Sequence, residues 1–159
     1  MSKARRTFFA GTIVSTLSLF VVLLVLTGCP KPHPNPIYGT VTAKVDGQQY
    51  NGVINSTGEE ETHGIRTFFF MSNSDKHRYI SISIKNYHGA GTYAAGPNAP
   101  QLPGGYAEPM YNDSTDTYFA DKGAVIVTSA NAKDVQGTFH FITSNGTNIS
   151  DGSFVITMP

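Results

Sequence analysis

From Ile37 to the end of the chain, apolar residues recur at every second position rather than every third or fourth, the period of a half-buried β-strand. Val41, Ala43 and Val45 alternate with Thr40, Thr42 and Lys44. Ile80, Ile82 and Ile84 alternate with Ser81, Ser83 and Lys85, and Phe139 and Phe141 with Thr138 and His140. Phe154, Ile156 and Met158 repeat the pattern against Ser153, Val155 and Thr157. Two further runs, Ile65–Met71 and Ala124–Thr128, are apolar on both faces, as central strands often are. Asp46-Gly47, Lys122-Gly123, Asn145-Gly146 and Asp151-Gly152 carry turn chemistry and punctuate these runs.

The pattern predicts strands over 38–45, 48–54, 65–71, 78–86, 92–94, 106–111, 117–120, 124–130, 135–143 and 149–158. With the shortest segments discounted, about eight or nine strands are expected in a single antiparallel β-sandwich or small barrel. No stretch combines helical spacing with a cap. The step Gly-Thr-β-former recurs at Gly39, Gly91 and Gly137, which is a strand-opening signature too common to establish a repeat.

The first part of the chain follows a different pattern. Lys3, Arg5 and Arg6 precede an apolar run from Ile13 to Leu26, which ends in Leu26-Thr27-Gly28-Cys29. A basic start, an apolar middle and small residues at the cut form the layout of an export signal. The tetrapeptide resembles the bacterial lipobox. That resemblance implies diacylglyceryl transfer to the Cys29 sulfur, cleavage after Gly28 and acylation of the new amino terminus with a fatty chain such as palmitate. The competing reading is an uncleaved anchor, since Phe8–Leu26 reaches the length needed to span a bilayer. The cysteine with its small neighbours and the proline after it favour the lipoprotein. Arg5-Arg6-Thr7-Phe8-Phe9 also loosely resembles a twin-arginine signal, although the strongly apolar middle favours the general secretory route.

The expected organisation is therefore a signal peptide over 1–28, a lipidated Cys29 with its tether over 29–37, and an all-β domain over 38–159. In the tether, Pro30, Pro32, Pro34 and Pro36 occupy alternate positions, which favours an extended polyproline II spacer of roughly 20 Å. Position 30 is Pro rather than Asp, so the inner-membrane retention signal of enterobacteria is not matched. The expected location is the outer membrane, facing the periplasm, with membrane lipid bound through Cys29.

Charge and cysteine usage narrow the field further. Three of the eleven basic residues lie in the leader, while all eleven acidic residues lie beyond it, so residues 29–159 carry a formal charge of −3. A mildly acidic domain gives no electrostatic footprint for nucleic acid. The single cysteine precedes the domain, which leaves the domain without an internal disulfide, thiolate metal cluster or thiol nucleophile. Glu59-Glu60-Glu61 reads as a solvated loop.

The segments Ala43-Lys44-Val45-Asp46-Gly47, Ile80–Ile84, Gly91-Thr92-Tyr93, Gly137-Thr138-Phe139-His140-Phe141 and Ser150-Asp151-Gly152-Ser153-Phe154 together resemble a group of small Bacteroidota lipoproteins of unknown function, over roughly residues 38–158. The resemblance implies an all-β domain behind a lipobox signal and brings no catalytic residues with it.

Sites of chemistry are few. His33, His63, His77, His88 and His140 show no ligand spacing, and His140 should face away from Phe139 and Phe141. No serine-nucleophile, phosphate-loop or calcium-loop motif is present. Asp113, Asp116 and Asp121 read as solvated turn residues. No metal or cofactor is expected.

The segment 87–119 has more character, with Tyr87, Tyr93, Tyr106, Tyr111, Tyr118 and Phe119 set among Pro97, Pro100, Pro103 and Pro109. Tyr93, Tyr106 and Tyr111 are candidate ligand contacts on a proline-stiffened loop, because tyrosine offers a large face and a hydroxyl at low entropic cost. The opposing reading is that, in a chain without Trp, these rings fill the core. Two functions follow. The first is a non-enzymatic binding or envelope-accessory module that contacts a protein, peptide or glycan. The alternative is a lipid-anchored hydrolase whose site assembles from scattered Asp, His and Tyr.

Intact-mass analysis of the membrane-extracted protein should show loss of residues 1–28 and a thioether-linked diacylglycerol on Cys29. Cys29→Ser should keep its leader. A free thiol on the native protein would refute the lipid anchor.

Overall fold

A computed structural model describes residues 37–74, 76–101 and 104–158. The leader, Cys29 and the proline tether lie outside the described residues. Nine strands are present: β1 (Gly39–Val45), β2 (Gln48–Thr62), β3 (Ile65–Ser74), β4 (Tyr79–Lys85), β5 (Gly91–Ala95), β6 (Tyr106–Asn112), β7 (Thr117–Ala130), β8 (Asp134–Thr143) and β9 (Asn148–Thr157). They close into a barrel in the order β1-β2-β3-β4-β6-β5-β7-β8-β9, with β9 returning to β1. Of the two architectures that the alternation allowed, the fold is the barrel. All pairings are antiparallel except a two-residue parallel contact between β5 and β6.

Alternation along each strand becomes inside against outside. On β1, Val41, Ala43 and Val45 are buried, while Thr40, Thr42 and Lys44 are exposed. On β8, Val135, Gly137, Phe139 and Phe141 are buried, while Gln136, Thr138 and His140 are exposed. A polar outside and an apolar inside reverse the arrangement of a membrane-spanning barrel.

The interior is filled by side chains, as expected for a small barrel. Seven rings form a continuous column through it, in the order Phe141, Phe139, Phe154, Phe70, Phe68, Tyr87, Tyr93. Neighbouring centroids lie between 4.9 and 6.5 Å apart, the range in which aromatic pairs attract beyond simple burial. Such large rings fit because glycines stand opposite them. Gly137 pairs with Phe154 and Gly152 with Phe139. A Cβ added at either glycine would come within 2.5 Å of the facing ring. Tyr50 fills another part of the interior, where its hydroxyl donates to the Ser72 carbonyl at 2.9 Å.

Two features depart from the sequence expectations. Residues 117–130 form one strand with no turn at Lys122-Gly123, where two strands were expected, and the turn chemistry of Asp151-Gly152 falls inside β9, the strand expected over 149–158. Both sites are β-bulges, marked by register shifts at Ala120/Lys122 on β7 and, on β9, opposite Thr42/Lys44 and Phe139/Phe141. Turns and some bulges both use positive φ, here at Asp151 (50°) in the β9 bulge and at Gly123 (151°) just after the β7 bulge. The second departure is the acidic run Glu59–Glu61. It lies on the extension of β2, paired with Phe68, Thr67 and Arg66 of β3, and Glu59 forms an ion pair with Arg66. Charge concealed this strand, which is held by its ladder rather than by buried side chains.

Gly137→Ala should destabilise the barrel by at least about 1–3 kcal/mol, as overpacking does, read as a lower urea midpoint. Its Cβ would strike the Ile126 carbonyl oxygen as well as the Phe154 ring. Adding Phe154→Leu to Gly137→Ala should recover part of that loss. Strictly additive losses would separate the ring from the glycine.

Candidate functional site

The barrel wall is irregular at one place. β6 pairs with β4 along its whole length, from Tyr106 to Asn112. On its other side it meets β7 only through Met110–Asn112, opposite Thr117–Phe119. Beyond Phe119, β7 leaves β6 and from Gly123 to Val127 takes β5 as its partner. β5 in turn touches β6 only at Ala94 and Ala95, opposite Tyr106 and Ala107. The wall therefore forks. At the fork, Glu108 and Pro109 of β6 and Ala120–Lys122 of β7 have no ladder partner facing them.

Local sequence accounts for the fork. Pro109 has no N–H to donate, so a ladder is weakest where it stands. Asp121 is the extra residue of the β7 bulge, since Ala120 pairs with Thr143 and Lys122 with Ile142. Gly96 (φ 122°) turns the chain away at the end of β5, where a Cβ would strike the Asp121 carbonyl. A short 3-10 turn at Ala99–Gln101 follows, and Ala99 N–H donates to the Gly96 carbonyl at 3.0 Å. At the closed end of the fork, Asp113 caps the β6–β7 turn. Its Oδ1 accepts from the Thr115 hydroxyl at 2.6 Å and from the Thr115 and Asp116 amides at 2.9 and 3.0 Å. Those bonds, the Thr115 hydroxyl foremost, hold the carboxyl down at about 2.

The fork opens outward as a cleft of about 400 Å³. Pro97 and Pro100 form one wall, Tyr106 to Pro109 the floor, and Phe119 to Asp121 with Ser144 the other wall. Phe119 is 59% exposed, which is unusual for a ring that size. It ends a row that crosses the outer face through Met71, Ser81 and Met110. Glu108 and Asp121, both exposed, are the two acidic residues of the lining, and Lys85 Nζ stands 3.9 Å from Glu108 Oε2. A second cleft, of about 670 Å³, lies beyond Tyr106 and takes in His63, Ile65, Lys85 and Asn86.

A third depression, of about 420 Å³, sits at a barrel end between Glu59, Arg66, Tyr87, His88 and Asn131. The Arg66 guanidinium lies 5.4 Å from the Tyr87 ring centre. The buried Tyr87 hydroxyl has no hydrogen-bond partner among the described residues. Burial foremost, then the neighbouring Tyr93 and Glu59, push this hydroxyl up to about 12, against the opposing pull of Arg66. It is therefore a neutral donor at physiological pH, unsuited to acting as a base.

Of the three tyrosines singled out from the sequence, only Tyr106 lies at the cleft. Tyr93 is wholly buried, donating from its hydroxyl to the Gly89 carbonyl at 2.8 Å, and Tyr111 is buried in the same core. Both point inward because they fall on the buried phase of β5 and β6. Phe119 belonged to the same aromatic segment, but Glu108 gave no signal. Asp121, expected in a polar turn, is a bulge residue inside β7. His140 faces outward as the alternation required. Among the described residues, no group of three or more His, Cys, Asp or Glu side chains is placed to hold a metal ion. No protein-family model, curated protein or solved structure matches the chain.

The Tyr87 hydroxyl predicts a stability window at high pH. Its pKa in the folded protein lies above the ordinary 10.0, so its contribution is complete below pH 10 and is lost as pH rises through about 12. Urea midpoints measured across that window should fall more steeply for the wild type than for Tyr87→Phe. Parallel slopes would show that Tyr87 ionises normally.

Proposed function

We propose that this chain is a lipid-anchored binding module of the bacterial envelope and that the cleft at the strand fork is its recognition surface. The observation that carries this reading is the exposed Phe119 ring on a concave, largely apolar cleft, in a barrel whose interior is already full of side chains. Small barrels that carry ligands inside keep a central cavity. Here the column of rings occupies that volume, so recognition falls to the outer wall. A single exposed ring is ordinary, but one set in a concave apolar patch is a feature of interaction sites.

The anchor follows from the leader and from Leu26-Thr27-Gly28-Cys29. Several acyl chains on one cysteine hold a protein at the bilayer effectively without release, whereas a single chain does so only reversibly. A spacer of alternating prolines would keep the barrel clear of the headgroups. Binding, rather than turnover, is favoured by the placement of the candidate acids and bases. Asp113 is committed to a turn, His140 faces outward on β8, and no histidine is among the described residues that line the cleft.

The test uses the full chain in lipid nanodiscs, offered arrays of envelope-derived peptides and glycans alongside a panel of fluorogenic ester, amide and glycoside substrates. Retention without turnover is expected. Phe119→Ser should keep the wild-type Tm and weaken retention by about tenfold or more. Turnover of any panel substrate by the wild type would favour a hydrolase and overturn the reading.

A further inference from the structure

Two clefts meet at one side chain. Tyr106 lines both the fork cleft and the larger cleft beyond it. Lys85 belongs to the larger cleft and Glu108 to the fork. Their ion pair crosses the ridge on a diagonal of the β4–β6 ladder, where Lys85 pairs with Tyr106 and Ser83 with Glu108. At 3.9 Å the pair is long, and its side chains are 31% and 45% exposed. Such a contact contributes little to stability, so either partner can turn to a ligand at small cost.

Resting on the reading of the fork as a recognition surface, we propose that these two clefts are halves of one groove that binds an extended peptide, with a basic side chain of that peptide seated at the fork. Three observations select this occupant. First, across the fork β6 at Glu108 and Pro109 and β7 at Ala120–Lys122 have no ladder partner on the sides that face each other. Their other sides stay paired with β4 and β8, and Pro109 can offer only its carbonyl there. A peptide supplies amide donors and acceptors at the spacing of a strand, which is how peptides add to interrupted sheets. Second, the walls are rings and prolines, Phe119 and Tyr106 against Pro97 and Pro100, which accept apolar side chains on either side of the charge. Third, Glu108 and Asp121, both exposed, are the acidic residues of that lining. Among the described residues Asp121 takes part in no ion pair. A lysine or arginine side chain is the complement, with its aliphatic stem along the rings and its charge at the carboxylates.

Charge at the other half is mixed, since Glu60 lies there together with Lys85. The basic residue is therefore assigned to the fork and no charge is assigned beyond Tyr106.

The experiment follows amide shifts of the full, isotope-labelled chain in detergent micelles. Gly96 and Asp121 report the fork, while His63 and Asn86 report the second cleft. Three probes are compared: an amidated hexapeptide pool with a fixed central lysine and randomised flanks, the same pool with that lysine acetylated, and chitohexaose. The lysine pool should move both sets of amides. Acetylation should weaken the response about tenfold, and so should Asp121→Asn in a protein of unchanged Tm.

Shifts confined to Gly96 and Asp121 would overturn the continuous groove. Equal binding of the acetylated pool would overturn the basic seat. Fork shifts with chitohexaose alone would replace the peptide with a glycan and leave the recognition surface standing. No fork shift with any probe would remove both the inference and the reading beneath it.

Discussion

Closing a sheet removes its edges but creates an inside that must be filled, and here the filling is done by aromatic rings lying on glycines. Phe154 occupies the space that Gly137 leaves open, and Phe139 the space left by Gly152. Each pairing joins β8 to β9, so the two strands are matched in shape as well as in hydrogen bonding. From there the column continues through Phe70 and Phe68 of β3 to Tyr87 and Tyr93, connecting distant parts of the chain in one packed stack. With no cysteine in the domain, this packing holds the barrel without a disulfide.

The outer wall inherits its character from that arrangement. Because the interior is committed to packing, the fork cleft lies on the outer wall. Three backbone irregularities coincide at the fork. Pro109 lacks a donor, Gly96 turns the chain out of β5, and the bulge at Asp121 shifts β7 by one residue. Each would be a local flaw alone. Together they open a concave surface in a closed barrel, while the hydrogen-bonded Asp113 turn holds the two arms of the fork together at one end. Bulges commonly re-aim a side chain beside a functional surface, and the side chains displaced here, Asp121 with Phe119 close by, are the ones that line the cleft.

The aromatic segment 87–119 shows how far a linear reading reaches. It was recognisable as unusual because of its tyrosines and prolines. Which rings turned inward depended on the phase of β5 and β6, and Tyr93 and Tyr111 share the buried phase, whereas Tyr106 falls half-buried on the outer one. Glu108 carried no signal because a carboxylate on the exposed phase of a strand is ordinary. It gains meaning only when Asp121, thirteen positions away in sequence, is brought to the same cleft.

Sequence alone determined the all-β class, the polar-out and apolar-in phase of most strands, and the lipobox-like tetrapeptide at Cys29, because each is encoded in short-range periodicity or a contiguous motif. It also marked Lys122-Gly123 and Asp151-Gly152 as places where the backbone departs from a regular strand. Tertiary structure decided that the sheet closes into a barrel, that those two departures are bulges rather than turns, and that β5 wedges between β6 and β7. The physical reason is that closure, register and the fork depend on pairing between segments far apart in the chain. Local alternation fixes which face a residue prefers, but not which strand will stand beside it.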